Sequence, residues 1–120
     1  MRMILILLLT GYSVFAFNKK EASEAYDKGD FTTAFTITES FAFSGDIQAQ
    51  YELGRMYYKG EGTQKNIKKA VVWWEKSGDK GHLEAQENLV YLYYSKKEGL
   101  NNEKFIYWLE KASHQGSANM

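Results

Sequence analysis

At 120 residues, with 16% aromatics, no cysteine and no proline, the chain suits one small globular domain and excludes a disulfide framework or a thiolate metal site. Fifteen basic side chains balance fifteen acidic ones, and they are scattered rather than blocked. No basic excess attracts a polyanion, so nucleic acid is not an expected partner.

The first predicted element is a secretory leader. Met1-Arg2-Met3 gives a short positive start, Ile4 to Leu9 is an unbroken aliphatic run, and Val14-Phe15-Ala16 resembles a signal-peptidase site. The apolar stretch from Ile4 to Phe17 is interrupted by Thr10, Gly11 and Ser13 and is too short for a spanning helix, which needs about 20 residues. A stable membrane anchor is therefore not expected, and without cysteine neither is a lipid anchor. The reading is a cleaved leader over 1–16 and one domain over 17–120, exported to the periplasm or secreted. Losing Arg2 leaves 14 basic against 15 acidic side chains, a formal charge of −1. Without disulfides the mature domain must be held by its core alone, so its aromatics are structural candidates first.

Helices follow. Asn18 with Glu21 reads as a capping box for a short helix through Tyr26, and Asp30 starts another through about Phe43. Asp46 is the expected N-cap of a third, in which Ala49, Leu53, Met56 and Tyr57 fall at i, i+4, i+7 and i+8. Gly54 interrupts that helix at an intrinsic cost of about 1 kcal/mol against alanine, and its place is read as the close approach of a neighbouring helix. Gly60 and Gly62 turn the chain into a fourth helix, which begins after Asn66, carries Ala70, Val71, Trp73 and Trp74, and stops near Gly81. A fifth helix repeats the third through Ala85, Leu89, Leu92 and Tyr93. A sixth begins after Asn101-Asn102, carries Phe105, Tyr107, Trp108 and Leu109, and stops near Gly116.

These elements recur. Asp30, Ala34, Gly45, Ala49 and Gln50 return 36 residues later as Asn66, Ala70, Gly81, Ala85 and Gln86. Leu53, Tyr57 and Tyr58 return as Leu89, Tyr93 and Tyr94, while Trp73, Lys76 and Gly81 return at an offset of 35 as Trp108, Lys111 and Gly116. A consistent period over successive copies predicts an all-α fold, an α/α solenoid of about three antiparallel helix pairs.

Ala49 to Gly62, AQYELGRMYYKGEG, then Lys69-Ala70, Trp73-Trp74-Glu75-Lys76 and a closing Gly81, resembles the Sel-one-like repeat family, a branch of the tetratricopeptide-type α/α solenoids. The resemblance covers about 20–120. The later copy departs from it, with Glu87 in place of the motif tyrosine, Val90 in place of the helix glycine, Phe105 in place of the small alanine, and only Gly99 left of the loop pair. The earliest copy keeps Tyr26, Gly29-Asp30-Phe31, Ala34 and Gly45 but has Ile37 where the tryptophan belongs. The resemblance implies a protein-interaction scaffold, no enzyme and no cofactor, binding a protein partner on its repeat surface. Its sharper form is an immunity protein that neutralises a secreted toxin. The alternative is an adaptor of envelope or secretion machinery, and a hydrolase is the least favoured.

Catalytic patterns are weak. His82 and His114 stand far apart at predicted helix ends, and neither has a second ligand at helical spacing, so no metal is expected. Glu84 and Glu87 are an ordinary i, i+3 surface pair. Gly60-Glu61-Gly62 lacks the lysine-serine sequel of a phosphate loop, and no serine has nucleophile-elbow context. Gly54, Gly60, Gly62, Ala70, Trp73 and Trp108 are read as structural. Tyr58, Tyr91, Tyr94, Trp74 and Tyr107 are the candidate partner-binding residues, because tyrosine and tryptophan dominate binding hot spots. Partial burial at the rim of the stack is the competing account of them. The last helix, with Phe105, Tyr107 and Trp108, has an apolar remainder that is a candidate surface for a partner or for a second copy in a homodimer.

Overall fold

The computed structural model describes residues 18–95 and 103–118. They form six helices: α1 (Lys19–Asp27), α2 (Phe31–Phe43), α3 (Ile47–Lys59), α4 (Ile67–Asp79), α5 (Leu83–Ser95) and α6 (Glu103–Ala118), with no strand among the described residues. The expected leader over 1–16, the Asn101-Asn102 cap and Gly99 lie outside the described residues. Among those described, no helix is long and apolar enough to cross a membrane.

The helix starts follow from the predicted caps. The side chains of Asn18, Asp30, Asp46 and Asn66 accept from the backbone N–H three residues on, at 3.0, 3.2, 2.8 and 3.0 Å. Each satisfies an amide that the first helical turn leaves unpaired, typically a gain of about 1 kcal/mol. A fifth cap was not legible. The Nδ1 of His82 accepts from Ala85 N–H at 3.2 Å, which leaves its proton on Nε2 for Gln48 Oε1 at 2.8 Å. The expected stop near Gly116 falls at Ala118, two residues on, and Gly116 itself does not take the left-handed conformation that commonly ends a helix.

Asp46 also accepts from Lys19 Nζ, tying α1 to the start of α3. Burial works to raise its carboxyl, but the hydrogen bonds from Lys19 and Ala49 outweigh it and hold the group below the ordinary 3.8. A carboxyl depressed in the folded state stabilises above its unfolded pKa and loses that contribution as pH falls through the folded one. Urea unfolding followed from about pH 5 down to about pH 2 should therefore show stability falling with pH, and Asp46→Asn should reduce that slope. An unchanged slope in the variant would remove the Lys19–Asp46 link from the account.

Each helix packs chiefly on the helix before and after it in the chain. One continuous core gathers Leu53, Tyr57, Ala70, Trp73, Trp74, Ala85, Leu89, Tyr93, Phe105 and Trp108, and a smaller cluster joins Ala25, Ala34 and Met56 in the first repeats. In the earliest copy Ile37, 1% exposed, fills the position that tryptophan takes later. The repeat extends to hydrogen bonds. Gln50 Nε2 donates to Ala42 O at 3.1 Å, and its copy Gln86 donates to Gly78 O at 2.9 Å, each joining one helix pair to the next from a buried position.

Candidate functional site

Side-chain contacts sort the helices into two layers. On one side Lys19–Asp46 joins α1 to α3, and Tyr51 of α3 stacks on His82 at the head of α5, ring centroids 4.4 Å apart. On the other, Phe43 of α2 meets Trp73 of α4 edge-on at 5.0 Å, and Tyr107 of α6 donates to Asp79 of α4 at 3.0 Å. The odd-numbered helices thus form one surface, with the even-numbered ones behind.

That surface carries two clefts. The one between α3 and α5, about 320 Å³, is lined by Tyr51, Arg55, Tyr58 and Lys59 from α3 and by Asn88, Tyr91 and Leu92 from α5, with Trp74 of α4 as its floor. The spacing explains the set: 51, 55 and 58 lie at i, i+4 and i+7 along one stripe of α3, and 88, 91 and 92 face them from α5. A second cleft of about 290 Å³ lies between α1 and α3 and includes Tyr26, Asp27, Glu52 and Arg55. Arg55 lines both, so the two form one furrow across three helices. It is held in place by Glu52 at 2.9 Å and by the Tyr51 ring, 6.0 Å from its guanidinium carbon. Burial, ahead of the charges around it, pushes the Tyr51 phenol above its usual pKa, so it stays neutral at physiological pH.

Three of the five candidate partner-binding residues meet in this furrow. Tyr58 is half-buried, its ring 5.5 Å from Trp74 and approached by Lys65 Nζ at 5.8 Å. Tyr91 is 66% exposed on the opposite wall. Trp74 is only 3% exposed and donates from Nε1 to Tyr51 O at 3.1 Å, so packing accounts for it first and the cleft meets only its edge. The other two lie elsewhere. Tyr94, the copy of Tyr58, sits one repeat further along against Phe105 at 5.8 Å, and Tyr107 belongs to the opposite layer, edge-on to Trp108 at 4.8 Å. Tyr51, Arg55, Lys59 and Asn88 were not anticipated as a site; the stripe of Tyr51, Arg55 and Tyr58 beside the core positions was the available signal.

Among the described residues no group of His, Cys, Asp and Glu is placed to hold a metal ion. His82 is occupied as a cap and stacking partner, and Gly60-Glu61-Gly62 is a connection whose carboxylate accepts from the Tyr26 hydroxyl at 3.0 Å.

A repeat of antiparallel helix pairs presenting an aromatic-lined furrow defines an α/α solenoid of the kind that serves as a protein-interaction module. The chain belongs to the Sel1-like repeat family: the family model described as Sel1 repeat matches residues 47–82 and 98–117. A sel1-like repeat-containing protein of Acanthamoeba polyphaga mimivirus is 38% identical over 80 residues, 67% of this chain and 14% of that protein. The DAP3-binding cell death enhancer 1 of Rattus norvegicus is 42% identical over 52 residues, 43% of this chain and 10% of that protein. The crystal structure of a Sel1 repeat protein from Oxalobacter formigenes superposes with a TM-score of 0.63 at 28% identity, covering 73% of this chain and 36% of that one. The chain thus spans a small part of the relatives it matches. The family-matched segments contain α3, α4 and most of α6; α1 and α2, which keep fewer motif positions, form the same helix pair without a family match.

Proposed function

We propose that this protein is an exported interaction module that binds one protein partner along the furrow of α1, α3 and α5. The observation that carries this reading is the meeting of Tyr58, Tyr91 and Arg55 around the edge of a buried tryptophan. It is a hot-spot composition on a rigid floor rather than a set of catalytic groups. The leader-like residues 1–16 support export, and the rat relative is itself named for binding another protein. Within this reading the partner is a secreted toxin that the protein neutralises as an immunity factor; an adaptor of envelope or secretion machinery is the other outcome to be tested.

The test is capture with the mature chain as bait from the secreted and envelope fractions, followed by affinity measurements. Tyr58→Ala combined with Tyr91→Ala should weaken the captured complex by about tenfold or more, while Tyr107→Ala, on the opposite layer, should leave it unchanged. If the double variant is folded by circular dichroism and holds the partner as tightly as before, the furrow is not the binding surface. A captured enzyme whose activity falls on binding supports immunity, whereas a secretion or wall component that is not inhibited supports the adaptor.

A further inference from the structure

The α3–α5 cleft is not evenly charged. Its lining includes Arg55 and Lys59 and no carboxylate. Glu52 pairs with Arg55 at 2.9 Å and, with Glu84, acts on Tyr51, toward the start of both helices. The far end holds Tyr58, Lys59, Tyr91 and Leu92, with Lys65 over the Tyr58 ring. Lys59 is exposed and has no ion-pair partner among the described residues, and the hydroxyls of Tyr58 and Tyr91 likewise make no hydrogen bond there. Aromatic walls, an indole floor and the cations Lys59 and Lys65, unpaired among the described residues, with hydroxyl donors around them match one ligand chemistry. That chemistry is an apolar side chain flanked by carboxylates.

We infer that the far end of the cleft takes an acidic segment of the protein partner, one apolar side chain seated over Trp74 between Tyr58 and Tyr91 and neighbouring carboxylates on Lys59 and Lys65. This rests on the furrow being the partner surface, and it names the chemistry of what lies there. Lys59 and Lys65 also draw such a segment in from solution, since rim cations act on association as well as on the bound complex.

Three synthetic hexapeptides test it on the mature chain: Glu-Asp-Glu-Phe-Asp-Glu, its counterpart with glutamine and asparagine for the acids, and its counterpart with lysine. Titrations followed by tryptophan emission give affinity, and amide chemical-shift mapping gives location. The acidic peptide should bind at least about fivefold tighter than the neutral one, lose that margin at raised salt, and shift residues around Tyr58, Lys59 and Tyr91. Lys59→Glu should weaken it about fivefold or more, while Lys76→Glu, an exposed change on α4, should leave it unchanged. If the neutral or lysine peptide binds the same residues as tightly, the acidic assignment is overturned and the furrow stands as the binding surface. If every peptide maps instead to the layer of α2 and α6, or none shifts the furrow, both the assignment and the furrow reading fall.

Discussion

Gly62→Ala should lower the thermal unfolding midpoint by about 10–20 °C, the effect of roughly 3 kcal/mol on a domain of this size. Two causes act at one position. Gly62 has a φ of +76°, where an L side chain costs roughly 1–2 kcal/mol. Its added Cβ would also stand 2.2 Å from the carbonyl oxygen of Phe31 and 2.6 Å from Phe35 Cβ, both on α2. These neighbours are backbone and the root of a side chain, so relief requires the α3–α4 connection to move off α2. Gly60 separates the two causes. It has nearly the same φ, +74°, as the C-cap of α3, but its added Cβ would meet Lys65 only at 3.2 Å. Gly60→Ala should therefore cost only about 1–2 kcal/mol. Equal losses in parallel urea melts would mean that left-handed geometry alone sets the cost and that the loop's contact with α2 contributes nothing.

That contact marks where sequence reading stopped. The loop glycines are legible as a turn, because only glycine takes φ > 0 freely. That Gly62 also touches α2 of the preceding repeat depends on how far each pair is rotated against the next, and no local pattern encodes that rotation. The same division runs through the site. The helix starts, the period and the core stripe could be read because caps and 3.6-residue periodicity are local properties, which is also why Tyr57, Tyr93, Trp73 and Trp108 prove to be buried. The five candidate binding aromatics could not be sorted from sequence, since Tyr58 and Tyr91 share a cleft only through the packing of α3 beside α5. His82 shows the limit from the other side. A histidine before a helix is a poor cap by composition; its tautomer follows from the Ala85 N–H that its Nδ1 accepts, and the neighbouring Gln48 and Tyr51 side chains fix its orientation.

Gly54 and Trp74 should behave as one unit. An added Cβ at Gly54 would lie 2.4 Å from the Cδ1 and Nε1 of Trp74, and the indole cannot swing aside without losing its hydrogen bond to Tyr51 O and its place in the core. Gly54→Ala gains about 1 kcal/mol of helix propensity, so a net loss of about 2 kcal/mol in urea unfolding means a clash worth about 3. The third repeat has neither residue of this pair. Val90 stands at the glycine position, packed on the core, and Leu109, 41% exposed, takes the sequence position that Trp74 has in the preceding copy. A larger residue on the odd helix accompanies a smaller one on the even helix. Gly54→Val and Trp74→Leu should accordingly each destabilise by about 2–4 kcal/mol, and the double variant by about 1–2 kcal/mol less than their sum. Strict additivity in the four-protein cycle would show that the two repeats reach their crossings independently of this exchange. Coupling would tie the helix glycine to the furrow. Gly54 lets a tryptophan lie flat against α3, and the edge of that tryptophan is the surface between Tyr58 and Tyr91 on which we place the partner.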